Sequence, residues 1–208
     1  DDVRCGVCRI RPGVDRGEKI TAPWAWSAAG VQRGDAHVVS QTGSRSNYGG
    51  TPADEAVRQA VRELKARGYH VTLYPFLFMD IPPGNGRPDP YGGAEQAAFP
   101  WRGRIRPSGA VASDVDAFFN GAQGYDAFIL HYVMLAAETG ADGLLIGSEM
   151  VALTRARAAD GGYPAVERLR ALAGQARALL GPAVEVSYAA DWTEYGAHVV
   201  GGELTFPL

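Results

Sequence analysis

The sequence predicts an α/β fold of parallel strands alternating with helices, a (β/α)₈ barrel, on three observations. The first is the stretch 142–150 (DGLLIGSEM), where three consecutive large aliphatics carry no polar alternation and are too few for a helix. That is the pattern of a strand covered on both faces, as in a parallel sheet beneath helices. The second is the alternation of strand-like and helix-like segments along the chain, which calls for parallel strands with crossover connections. The third is that three strand-like segments end in acids, at Asp80, Glu149 and Asp191. The C-terminal tips of parallel barrel strands are where such folds place their chemistry. About five or six strands can be counted, whereas a closed barrel needs eight and about 250 residues. The expectation is therefore a single domain over residues 1–208, an incomplete barrel truncated at both ends. A doubly wound open sheet is the alternative, but Gly147-Ser148-Glu149 lacks the G-x-G-x-x-G phosphate turn such sheets carry.

Taken in order, Val3–Ile10 reads as a strand closed by Arg11-Pro12-Gly13, followed by short strand-like pieces at Trp24–Ser27 and His37–Ser40. Thr51–Arg67 reads as a helix, with Thr51 as cap, Pro52 at the first helical position and Asp54 in place for a capping box. Its Val57, Ala60, Val61 and Leu64 form one apolar stripe, and Gly68 stops it. His70–Met79 (HVTLYPFLFM) is a β-rich run ending at Asp80, with Pro75 needing a place where a missing N–H is harmless. The Pro- and Gly-rich segment Ile81–Ala110 is long enough to be functional rather than connecting, and it would lie over the mouth of the barrel. Asp114–Phe119 and Tyr125–Thr139 read as helices, the second apolar on most sides and so buried. Asp142–Glu149 is the central strand, stopping near Gly147, and Arg155–Gly162 is a polar loop. Tyr163–Leu180 is a helix whose Val166, Leu169, Leu172, Ala173, Ala176 and Leu179 share a face. Val184–Ala189 is a further strand, and Leu204-Thr205-Phe206 begins another.

Composition narrows the class. At 46% hydrophobic and 21% charged, the 208 residues have the make-up of an ordinary globular domain. A formal net charge of −3 argues against a nucleic-acid-binding surface. No run approaches the roughly 18–20 apolar residues of a membrane helix. The chain opens on Asp1-Asp2 with no basic-then-apolar leader. Cys5 and Cys8 form one C-x-x-C, without a second pair or a nearby His to complete a zinc site. In an extended strand they would face opposite ways, so no metal or cofactor is expected, and their redox state stays open.

Acids converging at strand tips suit glycosidic cleavage, which needs two carboxylates about 5–5.5 Å apart for retention or about 6.5–9.5 Å for inversion. One of them has to be kept protonated by its surroundings. Tyr188, Trp192, Tyr195 and Trp101 are aromatics near the same mouth able to stack on sugar faces. Acids after strands also cap helices and complete turns, and that reading stays open for Asp80 and Asp191. His131 and His198 read as helix or loop residues. The alternation Arg102/Arg104/Arg106 reads as a solvated strand face, or as a holder for an anionic sugar or partner.

Four segments carry a resemblance: Leu73–Asn85 (LYPFLFMDIPPGN), Asp89–Arg104 (DPYGGAEQAAFPWRGR), Ile146–Arg155 (IGSEMVALTR) and Ser187–Tyr195 (SYAADWTEY). Together they resemble the glycoside-hydrolase TIM-barrel-like domain of gene transfer agent and phage tail proteins, the domain of the large baseplate hub called megatron or host specificity protein. The likeness runs from about Gly49 to the C-terminus, with Val3–Ser40 agreeing more loosely. It implies a barrel similar to retaining glycosidases whose acid/base Glu ends the fourth strand, a position held here by Glu149. Ser148 stands where those enzymes usually carry an Asn for the sugar's 2-hydroxyl, and it reaches less far. Their nucleophile, a Glu ending the seventh strand, would lie beyond Leu208.

The resulting expectation is a glycosidase-like domain of a tail baseplate, with Glu149 as general acid/base. Ser148, Asp80, Tyr188, Asp191, Trp192, Tyr195 and Trp101 are its expected substrate-binding residues. Envelope polysaccharide or peptidoglycan is the expected substrate, other tail and baseplate proteins the partners, and the particle tail the location. The chain by itself is expected to be inactive. The alternative is a catalytically silent barrel kept as a structural or glycan-binding module. An α/β-hydrolase is disfavoured by the lack of a G-x-S-x-G elbow.

Overall fold

The structure, a computed structural model, describes residues 1–15, 25–196, 199–200 and 203–204. Its organising element is a parallel three-stranded sheet in the order β7 (Thr72–Leu73), β8 (Gly143–Ser148), β9 (Glu185–Ala189). The remaining strands pair two by two: β1 (Gly13–Val14) with β4 (His37–Val38) in parallel, and β2 (Ser27–Ala28) with β3 (Val31–Gln32) antiparallel. β5 (Gln41–Thr42) with β6 (Arg45–Ser46) and β10 (Val199–Val200) with β11 (Glu203–Leu204) are antiparallel as well. The protein is thus mixed α/β with small sheets and no closed barrel among the described residues, consistent with an incomplete barrel.

The helices that cover the sheet are α1 (Asp54–Ala66), α2 (Val111–Phe119), α3 (Tyr125–Thr139), α4 (Val151–Thr154), α5 (Pro164–Leu180) and α6 (Trp192–Gly196). α3 and α5 pack on β8, and α5 reaches β9. Leu144 and Ile146 of β8 sit in one core with Ile129 and Val133 of α3 and Leu169, Leu172 and Ala176 of α5. Burying each of the Val, Leu and Ile side chains is worth about 1.5–3 kcal/mol. α3 ends on Gly140 at φ 69, a left-handed cap that glycine adopts without a Cβ clash. α5 opens on Pro164, whose missing N–H is harmless in a first turn.

Several expectations are corrected. Val3–Ile10 is not a strand: Cys5–Val7 forms a 3₁₀ turn, and the only ladder contact is a bridge from Arg4 to Arg106. Cys5 and Cys8 therefore do not face opposite ways but share the main core. Burial pushes both thiols up, Cys5 to about 12, which keeps them protonated. The strand β8 continues through Gly147 to Ser148, and a short helix, α4, begins just beyond Glu149. The cap of α1 also differs. Ala53 occupies the N-cap without a side-chain bond, because the Thr51 hydroxyl accepts the Gly13 N–H at 3.0 Å instead. In the α1 stripe only Val61 is fully buried, and Leu64 is open. Met134 of α3 and Leu179 of α5 are also exposed, so neither helix is buried as far as its sequence implies. Of His70–Met79 only Thr72–Leu73 joins the sheet. Residues 74–80 nonetheless alternate like a strand, with Pro75 and Met79 buried and Tyr74, Phe76 and Phe78 exposed. Arg102–Arg104 is a 3₁₀ turn rather than a strand face. Trp24, Thr205 and Phe206, each named in a sequence-predicted strand, lie outside the described residues, as does His198.

Candidate functional site

Glu149 follows the last residue of β8, where the backbone turns to φ 52. Holding a side chain there costs about 1–2 kcal/mol, and strain of this kind collects at functional positions. Its own N–H donates to Ala189 O at 3.0 Å, tying it to the end of β9. Its Oε2 accepts the Trp101 indole N–H at 2.9 Å and the Arg102 Nη2 at 2.6 Å. The carboxylate remains about one-third exposed, so this ion pair is formed at an opening.

The long 81–110 segment delivers two donors, Trp101 and Arg102, to the tip of β8. Trp101 folds back over Gly103, where a Cβ would come within 2.4–2.6 Å of the indole ring. Only glycine permits that return. Arg102 is held beyond Glu149 as well, donating to Ser148 O at 3.1 Å and Ser148 Oγ at 2.8 Å. Ser148, 2% exposed, also shares a 2.5 Å hydrogen bond with the Tyr74 hydroxyl. From Tyr74 a wall of rings runs along the extended segment. Tyr74–Phe76, Phe76–Phe78 and Phe78–Tyr48 have centroids 5.3, 5.1 and 4.7 Å apart, and the Arg102 guanidinium lies 5.0 Å from the Phe76 centroid. Tyr74, Phe76 and Phe78 are each 40–58% exposed, so the wall presents apolar ring surface to solvent.

A second set of bonds fixes the backbone just past Glu149. The Tyr188 hydroxyl accepts the Met150 N–H at 2.9 Å and donates to Glu194 Oε1 at 3.0 Å. Glu194, 6% exposed, also accepts Thr154 Oγ1 at 2.8 Å and the Asp191 N–H at 2.7 Å. One buried carboxylate on α6 therefore grips both ends of α4. Burial first, and then the negative charge of Glu194, push the Tyr188 phenol far up, so it stays a neutral donor. Gly147 completes the packing, since a Cβ there would meet the Tyr188 ring at 2.8 Å and Tyr125 Oη at 2.9 Å.

The other sequence-predicted residues are placed as follows. Asp80 points to the N-terminal segment: Oδ2 accepts the Ser40 N–H at 3.0 Å and pairs with His37 Nε2 at 2.7 Å, and Oδ1 accepts the Ser40 hydroxyl. Burial alone would raise its pKa, but the Ser40 and His37 bonds together hold the carboxyl below its ordinary value. Asp191 caps α6, its Oδ1 taking the Thr193 hydroxyl and N–H, which lowers its pKa. Trp192 is 81% exposed on the same helix. Trp101, Ser148 and Glu149 thus come together, and Tyr188 reaches the same turn through Met150. Neither the Asp80 nor the Asp191 carboxylate bonds to that group, Asp191 meeting Glu194 only through its backbone N–H. The side chain of Tyr195 lies outside what the structure describes. His131, on α3, pairs with Asp54 at 2.8 Å.

Tyr74 and Glu194 are the members that sequence reasoning did not assign to the site, and Arg102 was offered only within the Arg102/Arg104/Arg106 alternation, as a holder for an anionic sugar or partner. Glu194 had a legible signal: Asp191-Trp192-Thr193-Glu194 has capping-box spacing, and the Glu194 carboxylate accepts the Asp191 N–H as such a box requires, while Asp191 Oδ1 takes the N–H of Thr193 rather than that of Glu194. Among the described residues, no group of three or more His, Cys, Asp or Glu side chains is placed to hold a metal ion. No described helix is long and apolar enough to cross a membrane. No curated protein matches the chain significantly. Residues 123–208, which carry α3, β8, Glu149 and β9, match the family model of the GTA TIM-barrel-like domain, the gene transfer agent domain.

Proposed function

We propose that the chain is a glycosidase-type domain of a gene transfer agent tail baseplate protein, hydrolysing O-glycosidic bonds of envelope polysaccharide or peptidoglycan with Glu149 as general acid/base. The family match supports the gene transfer agent part. The observation that carries the chemistry is Glu149 itself, a strained, part-exposed carboxylate at the tip of the central parallel strand, beside Trp101 and the Tyr74–Phe78 rings. To act as an acid, Glu149 must carry a proton to the leaving oxygen. Arg102 then has to release Oε2, and Ser148 O and Oγ already offer it a resting place. The indole N–H of Trp101 keeps the carboxyl aimed while the guanidinium moves.

The test is the release of new reducing ends from envelope polysaccharide and peptidoglycan by the complete hub protein, against Glu149→Gln. Loss of about 10²–10⁴-fold in rate is the expected result for a general acid. Equal rates in the two proteins would remove the acid/base role.

A second reading, a glycan-binding barrel without turnover, is favoured by two observations. The Arg102–Glu149 pair at 2.6 Å engages the carboxylate, and no second described carboxylate shares its hydrogen-bond network. Retaining chemistry needs that second group about 5–5.5 Å away. Glycan binding that survives Glu149→Gln, with no reducing ends released by either protein, selects this reading.

A further inference from the structure

Arg102, Arg104 and Arg106 follow one another at every second position, yet they are used differently. Arg102 is neutralised by Glu149 at 2.6 Å. Arg4, bridged to Arg106, and Arg87 share the carboxylate of Asp2 at 2.8 and 3.6 Å. Arg104 and Arg106 pair with no carboxylate among the described residues. Both guanidiniums instead lie over the Tyr91 ring, with Cζ at 3.9 and 5.0 Å from its centroid. Asp89 is the neighbouring acid, and both its oxygens are already engaged, by the Tyr91 N–H at 3.1 Å and the Gly93 N–H at 3.0 Å.

This pair is also held in place. The Tyr91 hydroxyl donates to Arg104 O at 3.0 Å. The Arg106 backbone is pinned on both sides, its N–H to Val3 O at 2.8 Å and its O to the Cys5 N–H at 2.9 Å. Stacked guanidiniums on a fixed backbone lose little freedom when they capture an anion, and their planar forks match carboxylate and phosphate oxygens. The backbone runs at most about 10 Å from Trp101 to Arg104 and about 18 Å to Arg106, the span of a short oligosaccharide that begins at Glu149.

We propose that Arg104 and Arg106, stacked on Tyr91, form a subsite for the charged group of an acidic glycan, a sugar carboxylate or phosphate. The assignment rests on the glycan reading of the Glu149 site and narrows it from glycans in general to anionic ones. Tyr91 orders the two guanidiniums, Trp101 and the Tyr74–Phe78 rings take the sugar faces, and the anion is bound at the far end of the same segment.

The experiment is calorimetric titration of the chain with a hyaluronan octasaccharide and with its carboxyl-reduced counterpart, in which each carboxylate is replaced by a neutral hydroxymethyl group. The expected result is about tenfold tighter binding of the charged form, lost in an Arg104→Ala/Arg106→Ala double variant and weakening with salt. Arg104→Lys/Arg106→Lys, which keeps the charge without the fork, is expected to retain part of the preference and guards against a folding defect in the double alanine. Competition by inorganic phosphate assigns the subsite to oxyanions generally; without it, carboxylates alone are taken. Equal binding of the two oligosaccharides overturns the subsite and leaves the glycan reading intact. Binding of neither overturns both.

Discussion

Tyr188 fixes Met150: the phenol oxygen accepts the Met150 N–H at 2.9 Å while its own proton goes to Glu194 at 3.0 Å. Because Met150 is the residue after Glu149, the strained turn that carries the candidate acid is tied to the neighbouring strand by a neutral phenol oxygen that accepts its N–H. Tyr188→Phe removes the acceptor for a buried N–H and one donor to a buried carboxylate. The expected cost is about 1–3 kcal/mol in chemical unfolding. The Trp101 indole N–H resonance should shift as well, since its acceptor is Glu149. An unchanged unfolding midpoint would show that the turn does not depend on this bond.

Two glycines near the site should respond oppositely. At Gly147 a methyl would press on the fully buried Tyr125 and on Tyr188, whose hydroxyl is tied to Met150 and Glu194. Gly147→Ala is expected to cost about 1–3 kcal/mol. At Gly103 the obstacle is the Trp101 ring, 43% exposed and free to swing away. Gly103→Ala should therefore leave thermal stability nearly unchanged while moving the Trp101 fluorescence maximum and weakening glycan binding. Similar stability losses in both variants would contradict this division.

Acid should loosen the N-terminal segment. Asp80 and Asp2 both sit below their ordinary pKa of 3.8, each because hydrogen bonds outweigh the opposing effect of burial. Such a group binds fewer protons folded than unfolded, so it stabilises the fold above about pH 4 and that contribution disappears as pH falls further. Asp80→Asn, which weakens the bonds to Ser40 and His37, is expected to lose about 1–3 kcal/mol at neutral pH. It should also show a flatter stability profile between about pH 4 and 2 than the parent chain. Parallel profiles would mean that Asp80 does not carry this dependence.

The sequence was most legible where structure is local. α3 and α5 declare themselves by periodicity, and β8 by an aliphatic run that the core then buries. Reading failed where a distant partner intervened. Thr51 looks like a helix cap, but its hydroxyl is claimed by Gly13, 38 residues away. The Val3–Ile10 run has the residues of a strand but turns at Cys5, where its backbone bonds to Arg106. At the site, the strand tip marked Glu149, and Trp101 was legible as an aromatic near the mouth. That Trp101 and Arg102 would meet Glu149 was not legible, since 48 and 47 residues separate them and no local pattern encodes the contact.

The most direct test of the account is a crystal structure of this chain with an oligosaccharide released from the bacterial envelope. The predicted result is a sugar ring stacked on Trp101 or Phe76, with a hydroxyl or glycosidic oxygen within hydrogen-bond distance of a Glu149 carboxylate oxygen. An oligosaccharide seated on another face, with Glu149 still closed against Trp101 and Arg102, would contradict it.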